Sequence, residues 1–345
     1  MSLQNASDAL RATLLDLLWA QWTDLGVAGV RGSGQAIVDP EALALVTLEI
    51  GRFDPRLFDE VLDWLARNGD LLDVTRLRRL IGSAAPEHQR LARVLIDFMR
   101  RFNISTKWAP LSDRWQVNEA SATYSPTPLF RDPAGSGLPV FGNPDPFFAS
   151  YGFIRPPLVL RGMSVRPRPN SPWLVRLAAR SLVGIGVRAE VLLYLWTHEA
   201  AHGRLIAART GYSQRQVSEY LAGLAAAGFA ERYPQGKSVQ YRLVPGIRWS
   251  GAQQSRYVDW ARAFPALAAA YAGLACAAQA STTYEASTQV RSTLAELRSA
   301  LPVEGLELPL PRPGDYPGEA VLGHAEEVAR AVSAVVEALA RASTG

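Results

Sequence analysis

Apolar side chains recur at helical spacing throughout the first hundred residues. One stripe of leucines begins after Ser7, the expected N-cap, and further helices are predicted to begin at Asp39-Pro40, at Asp54-Pro55 and near Pro86. Aspartate is a favourable cap, and proline is tolerated in the first helical turn because its missing N–H would have no partner there. The pattern predicts an α-helical domain over residues 1–105.

Proline interrupts the helical pattern in the next stretch. Twelve of the 23 prolines lie between Pro110 and Pro172, and aromatic residues are interleaved with them. Proline lacks a backbone donor and clashes with the preceding turn, which disfavours helix over most of this stretch. We expect an extended strap over residues 106–170 that packs on a neighbouring domain, with short strands near Phe153 and over residues 158–160.

A compact series of elements follows between residues 171 and 248. Helices are predicted over residues 189–196 and 204–209, and a sharp turn at Thr210-Gly211-Tyr212 leads to a third helix capped by Ser213. The apolar stripe of this third helix consists of Val217, Tyr220, Leu221 and Leu224. Alternating residues over 229–233 and 238–243, joined by a turn over 234–237, predict a β-hairpin. Together these elements predict a helix-turn-helix followed by a wing.

Residues 249–345 return to helical spacing, with a proline-rich break over residues 301–317. In the last helix, apolar residues alternate at steps of four and three, as in a short heptad seam: Val321, Ala325, Val328, Val332, Val335 and Leu339. This helix either packs on its own chain or contacts a second subunit. The predicted fold is mainly α with a small β-hairpin wing, and a central winged helix-turn-helix (171–248) is flanked by helical N- and C-terminal domains (1–105 and 249–345).

Composition narrows the class of protein and the cellular compartment. The 345 residues suffice for about two domains, and 48% hydrophobic with 20% charged residues is typical of a folded chain. A single cysteine, Cys276, allows no internal disulfide, which indicates a reducing cytoplasmic compartment. The longest apolar run, residues 263–278, is mostly alanine and contains Pro265, so we expect no membrane span and no membrane partner.

The distribution of charge points to the centre of the chain. Residues 1–100 and 249–345 each carry a net charge of −3, whereas residues 101–170 carry +4 and residues 171–248 carry +6. The sum is the total of +4. A basic stretch between acidic flanks predicts that an anionic partner binds there.

The central stretch resembles the winged-helix repressors of the ArsR and MarR type. The resemblance covers about 60 residues and rests on Leu192–Leu195, Ile206–Ser213, Val217–Leu224, Ala227-Gly228-Phe229 and Tyr241-Arg242-Leu243. It implies a DNA-binding transcriptional regulator, and a repressor in particular, whose third helix lies in the major groove with the wing against the backbone. One cysteine cannot supply the thiolate pair of the metal-sensing members.

The chemistry of the exposed residues agrees with binding of double-stranded DNA. The predicted contacts from the third helix are Ser213, Gln214, Arg215, Gln216 and Ser218, beside Glu219. Arginine suits the paired acceptors of guanine, and glutamine suits the donor and acceptor edge of adenine. The predicted wing contacts with phosphates are Arg232, Gln235, Lys237 and Arg242. A homodimer is expected, because palindromic operators match two-fold proteins.

Three alternatives stay open. A winged helix also serves as a scaffold that binds another protein, in which case the polar helix face is only solvated. His198-Glu199-Ala200-Ala201-His202 matches the HExxH zinc motif of metalloproteases, although no good third ligand follows. The third alternative concerns residues 39–80, whose pattern predicts either a helical scaffold or a degenerate second winged helix. In the second case the three arginines of residues 76–79 would contact DNA. We predict no enzyme, no cofactor and no metal; the sequence identifies no effector.

Overall fold

The computed structural model describes residues 3–29, 36–82, 86–116, 125–236, 238–247, 249–253, 255–300, 310, 312–323, 327 and 329–334. The fold is mainly α-helical with two small sheets. This agrees with the mainly α class that the sequence predicts.

Six helices form the first part of the chain: α1 (Leu3–Asp24), α2 (Pro40–Ile50), α3 (Pro55–Asn68), α4 (Val74–Gly82), α5 (Pro86–Phe102) and α6 (Ala109–Gln116). Asp39 and Asp54 cap α2 and α3 as predicted, through bonds from the Ala42 and Leu57 amides. The predicted cap Ser7 is wrong, because α1 begins at Leu3 and Ser7 is buried inside it.

The proline-rich stretch has little regular structure after α6. Its elements are β1 (Thr127–Pro128), the single turn α7 (Pro146–Ala149) and β2 (Phe153–Ile154), and β1 pairs with β2 in parallel. The strand near Phe153 is confirmed, whereas residues 158–160 form no strand. Leu129, Phe130 and Phe148 are buried in the core of the surrounding helices.

Four helices and a three-stranded sheet follow. The helices are α8 (Val175–Val183), α9 (Val187–Thr197), α10 (Gly203–Thr210) and α11 (Gln214–Ala226). The strands are β3 (Ala201–His202), β4 (Ala230–Gln235) and β5 (Ser238–Leu243), in the antiparallel order β3-β5-β4. The hairpin turn is shorter than predicted, because Pro234 and Gln235 still pair with Val239 and Ser238.

The remaining helices are α12 (Ser250–Gln253), α13 (Trp260–Ala278), α14 (Thr283–Ala300) and α15 (Ala320–Gly323), and residues 329–334 are helical again. Among the described residues, α13 is the one helix whose length and composition would allow a membrane span. More than half of that span, 56%, is buried in the protein, as is typical of a core helix.

The buried apolar residues form two cores. The larger core joins the first helices, the proline-rich stretch, α13 and α14, and it also includes Val321 and Val332. These two seam positions therefore pack on their own chain, while Ala325, Val328, Val335 and Leu339 lie outside the residues whose side chains the structure describes. The smaller core comprises α8–α11, the β4–β5 hairpin and a few neighbouring residues such as Ile37.

Candidate nucleic-acid interface

Helix α11 begins with a capping box. The Ser213 hydroxyl accepts a bond from the Gln216 amide, and the Gln216 side-chain oxygen accepts bonds from the Ser213 amide and hydroxyl. This reciprocal arrangement satisfies amides that a helix start leaves unpaired. Gln216, predicted to contact DNA, thus has a structural role in the free protein.

The turn before α11 is fixed on both sides. Gly211 ends α10 in the left-handed region (φ +75°), which favours glycine because a side chain there is strained. Next to it, Tyr212 is buried and donates its hydroxyl hydrogen bond to the Asp73 carboxylate. The start of α11 is therefore anchored to the segment that leads into α4.

One face of α11 packs and the other is open. Val217, Leu221 and Leu224 are buried in the smaller core, as predicted from their spacing. The predicted contact residues are all exposed: Ser213, Gln214, Arg215, Gln216 and Ser218. Arg215 has 88% of its side chain accessible to solvent. In the free protein it is paired with Glu219 at 2.8 Å between Nε and Oε1.

The β4–β5 hairpin, which the sequence predicts to be a wing, does not gather its predicted contacts on one face. Arg232 is opposite Tyr241, and Arg242 is opposite Glu231 on the adjacent rung of the β4–β5 ladder. Because successive side chains alternate across a sheet, Arg232 and Arg242 project from opposite faces. Arg242 also forms an ion pair with Glu231. Gln235 is exposed next to the turn, and Lys237 lies outside the described residues.

Two arginines of α4 hold the turn before α11. Arg76 is buried, forms an ion pair with Asp39 and donates to the Thr210 carbonyl at 3.4 Å. Arg79 donates to the Gly211 carbonyl, and its guanidinium lies 4.7 Å from the centre of the Tyr212 ring. Buried Arg76 is therefore not available to DNA, which contradicts the interpretation of residues 39–80 as a second DNA-binding unit for this arginine, while half-buried Arg79 is engaged with the turn. Only Arg78 of the three is exposed.

A buried ionic cluster lies behind this turn. Arg180 binds the Glu41 carboxylate through two bonds, at 2.7 and 2.8 Å, and donates to Glu190 at 3.0 Å. Arg176 contacts both Glu190 and Asp39, and Arg76 joins the cluster through Asp39. We call these six residues the ionic cluster: Asp39, Glu41, Arg76, Arg176, Arg180 and Glu190.

The cluster lowers the pKa of two of its buried carboxylates, Asp39 and Glu190. Burial alone would raise the pKa of Asp39, but the guanidinium groups of Arg176 and Arg76 hold this pKa well below its ordinary value. The pKa of Glu190 is lowered in the same way, against the effect of burial, by Arg176 and Arg180. Burial also raises the pKa of Tyr212, and the neighbouring Asp73 carboxylate raises it further.

The cluster explains part of the charge asymmetry of the sequence. Arg176 and Arg180 belong to the basic central stretch, and their partners Asp39 and Glu41 belong to the acidic first hundred residues. Arg209 likewise faces Asp259, at 3.5 Å. Some of the excess positive charge is therefore balanced inside the protein and is not presented to a partner.

The HExxH residues do not form a helical zinc site. His198 follows the last residue of α9, and its Nδ1 lies 2.9 Å from the Tyr194 carbonyl. His202 ends β3, and its Nδ1 accepts a bond from the Leu205 amide at the start of α10. The motif needs both histidines one turn apart on a single helix. In the described part of the chain, no group of three or more candidate ligands could hold a metal ion.

Arg204 is a candidate contact that sequence reasoning missed. It is exposed in the first turn of α10, directly after Gly203. A β-carbon placed on Gly203 would lie 3.2 Å from the Leu221 side chain and 3.4 Å from the Ser218 hydroxyl. The backbone directly before Arg204 therefore packs against α11 near Ser218. The exposure of Arg204 and its position in a first turn were the available signals.

Comparison with protein-family models, curated proteins and solved structures finds no match. The functional assignment therefore depends on the geometry and chemistry of the described residues.

Proposed function

We propose that the protein is a sequence-specific double-stranded DNA-binding transcriptional regulator, a repressor in particular, and that residues 171–248 form a winged helix-turn-helix. The observation that carries the proposal is the open face of α11. A helix with a packed apolar stripe displays arginine, glutamine and serine at its first turns, next to a short turn and a preceding helix. In helix-turn-helix proteins the N-terminal residues of this helix contact base edges in the major groove.

The arrangement of the other elements supports the same proposal. The β4–β5 hairpin follows α11 directly. Strand β3, which lies between α9 and α10 in the chain, extends the hairpin to a three-stranded sheet. A wing at this place can contact the sugar-phosphate backbone beside the groove that α11 occupies. Exposed Arg204 and Arg232 are suitable for phosphates, since such contacts need charge and reach but no base geometry.

Specific readout by Arg215 is compatible with its ion pair, because the bond to Glu219 uses only the Nε donor. Its guanidinium pairs with Glu219 in the free protein, and an exposed pair of this kind contributes little to stability. Guanine offers two acceptors in the geometry that arginine fits. We infer that the two terminal nitrogens of Arg215 contact guanine when DNA binds, and that Glu219 orients the guanidinium for this contact through Nε.

A homodimer is part of the proposal. A single winged helix buries limited surface, whereas two copies on a two-fold operator double the contacts. Since Val321 and Val332 are buried in their own chain, the contact between copies would use other residues than these two. Analytical ultracentrifugation of the full chain, with and without a two-half-site duplex, tests this part: a monomer in both conditions contradicts it.

The experiment that tests DNA recognition combines selection with a matched substitution. Duplexes selected from a random library by the wild-type protein are titrated against wild type and Arg215→Ala. Loss of one bidentate base contact should cost about 1–3 kcal/mol on the selected site and relax its sequence preference. Arg262→Ala, an exposed arginine on α13, is the control and should bind as wild type does.

The alternative outcomes separate the other candidates. If the library yields no enriched sequence and no duplex binds, sequence-specific DNA recognition is refuted, and a scaffold surface for another protein becomes the next candidate for the helix face. If Arg215→Ala and wild type bind selected and scrambled duplexes equally, Arg215 has no role in base readout. Hydrolysis of a peptide that is lost in both His198→Ala and His202→Ala would instead support the zinc hydrolase.

A further inference from the structure

A cavity of about 460 Å³ lies between α2, α4, α5 and α13. Its walls are mostly apolar and include Leu45 and Val46 of α2, Leu91 of α5 and Phe264 of α13. Four of the six lining residues on α13 are alanines, of which Ala269 and Ala272 are exposed. The volume is in the range of small-molecule sites, which is about 300–1,000 Å³.

The cavity has one polar feature. Glu49 and His88 line it, with 3.4 Å between the Glu49 Oε2 and the His88 Nε2. All the other lining residues that the structure describes are apolar. A pocket with apolar walls and a few polar groups at one place binds a molecule with one hydrogen-bonding end and an apolar body.

Two residues that line the cavity, one on α2 and one on α4, are bonded or adjacent to residues that support the turn before α11. Ala42 lines the cavity, and its amide donates to the Asp39 carboxylate, a member of the ionic cluster. Leu80 lines it as well and directly follows Arg79, which binds the Gly211 carbonyl. A molecule that displaces α2 or α4 therefore displaces atoms in contact with the turn.

We propose that this cavity binds a small, uncharged, largely apolar molecule with one hydrogen-bonding end, and that its binding changes the stability of the turn at residues 210–213. The cavity itself is independent of the proposed function, whereas its meaning as an effector site depends on DNA binding. Close-packed, hydrogen-bonded interiors transmit small displacements because they deform little. Such a molecule would act as an effector of the regulator.

The first experiment tests the cavity without DNA. The uncharged fluorescent probe N-phenyl-1-naphthylamine, which has one N–H donor, is titrated into the full-length protein. One probe per chain is expected to bind, and Ala269→Phe should weaken binding by about tenfold or more because the ring fills the cavity. Cys276→Phe, on the same helix and outside the lining, is the matched control and should bind the probe as wild type does.

The polar end is tested with a competitor. 1-Phenylnaphthalene has a similar apolar body but no N–H, and it should displace the probe with about tenfold lower affinity, as expected for one lost bond to a charged acceptor. Glu49→Leu should abolish this preference and leave the affinity for 1-phenylnaphthalene unchanged. Equal probe binding by wild type and Ala269→Phe, or no saturable binding by wild type, would overturn the site.

The second experiment tests the connection to the turn. Hydrogen–deuterium exchange of a peptide spanning residues 207–216 should change by about twofold or more when wild type is saturated with probe, and should not change in Ala269→Phe. An unchanged rate in saturated wild type refutes the connection. A change in sedimentation coefficient caused by Ala269→Phe would overturn the small-molecule proposal, because the cavity would then be a contact between copies. Absence of duplex binding with intact probe binding would refute only the proposed function.

Discussion

Tyr212 in the turn before α11 donates its hydroxyl hydrogen bond to Asp73, and Asp73 in turn caps α4 through a bond from the Arg76 amide at 3.0 Å. A single carboxylate thus joins the start of the proposed recognition helix to the N-terminal helices. Both residues are buried. The position of α11 is therefore determined by its own core and also by a charged group from another part of the chain.

The Tyr212–Asp73 bond should contribute measurably to stability. Tyr212→Phe keeps the ring and removes the hydroxyl, which leaves one oxygen of a buried carboxylate without that donor. We expect the free energy of unfolding to fall by about 1.5–3 kcal/mol, as for hydrogen bonds to charged groups. Urea unfolding followed by circular dichroism measures the change. Tyr284→Phe, at a tyrosine that is 72% exposed, should change the free energy by less than about 0.5 kcal/mol.

The ionic cluster should be sensitive to the loss of a single member. Arg180→Met removes the group that binds both Glu41 and Glu190, and leaves two buried carboxylates with reduced compensation. Breaking a buried pair in this way typically costs about 3–5 kcal/mol. The same unfolding measurement applies, with exposed Arg78→Met as the control. A loss below about 1 kcal/mol for Arg180→Met would show that the cluster contributes little to stability.

Acid should weaken the fold through the same cluster. The pKa values of Asp39 and Glu190 are lowered in the folded protein, so the unfolded chain takes up protons first as the pH falls. Their stabilisation is complete above the unfolded pKa values, near 4, and is lost as the pH falls from about 5 toward the folded values.

The substitution Asp39→Asn removes one of these two titrating carboxylates, so it separates the contribution of Asp39 from that of Glu190. Between about pH 4.5 and 3, the free energy of unfolding of wild type should fall more steeply than that of the variant, by up to about 1.4 kcal/mol per pH unit. Between pH 6 and 8 the difference between the two proteins should be constant. Parallel curves over the acid range would show that Asp39 does not titrate differently in the two states.

Arg204 should contribute affinity without specificity. A contact with phosphate releases counterions but reads no base, so Arg204→Ala should weaken selected and scrambled duplexes by a similar factor. The slope of log affinity against log salt concentration should fall in magnitude by about one. Titrations by fluorescence anisotropy at several salt concentrations measure both quantities. A loss confined to the selected duplex would instead place Arg204 at a base.

Local signals predicted the elements, and tertiary contacts explain what was missed. The cap at Ser213, the stripe of Val217 and Leu221 and the glycine turn are all encoded within a few residues, and the structure shows α11 accordingly. Strand β3 was not predicted because a strand of two residues is too short to show alternating polar and apolar positions. It forms because it pairs with Tyr241 and Gln240 of β5.

The charged residues show more clearly what the sequence alone could not predict. The sequence identifies Asp39 as a helix cap, which it is, but its ion pairs with Arg76 and Arg176 join segments that are distant in the chain. The arginines of α4 look like a basic surface in the sequence, and only the fold reveals that Arg76 and Arg79 face the turn at residues 210–212. Local composition cannot distinguish an arginine that binds an external anion from one that is paired internally.

The measurement that tests the central claim most directly is the affinity of the full-length protein for a library-selected duplex and for its scrambled counterpart, determined at salt concentrations between 50 and 200 mM. If α11 reads sequence and basic residues contact the backbone, the selected duplex should bind about 10³-fold or more tightly than the scrambled one, and both affinities should fall steeply with salt. Equal affinities for the two duplexes, or no binding at 50 mM salt, would contradict sequence-specific DNA recognition by this protein.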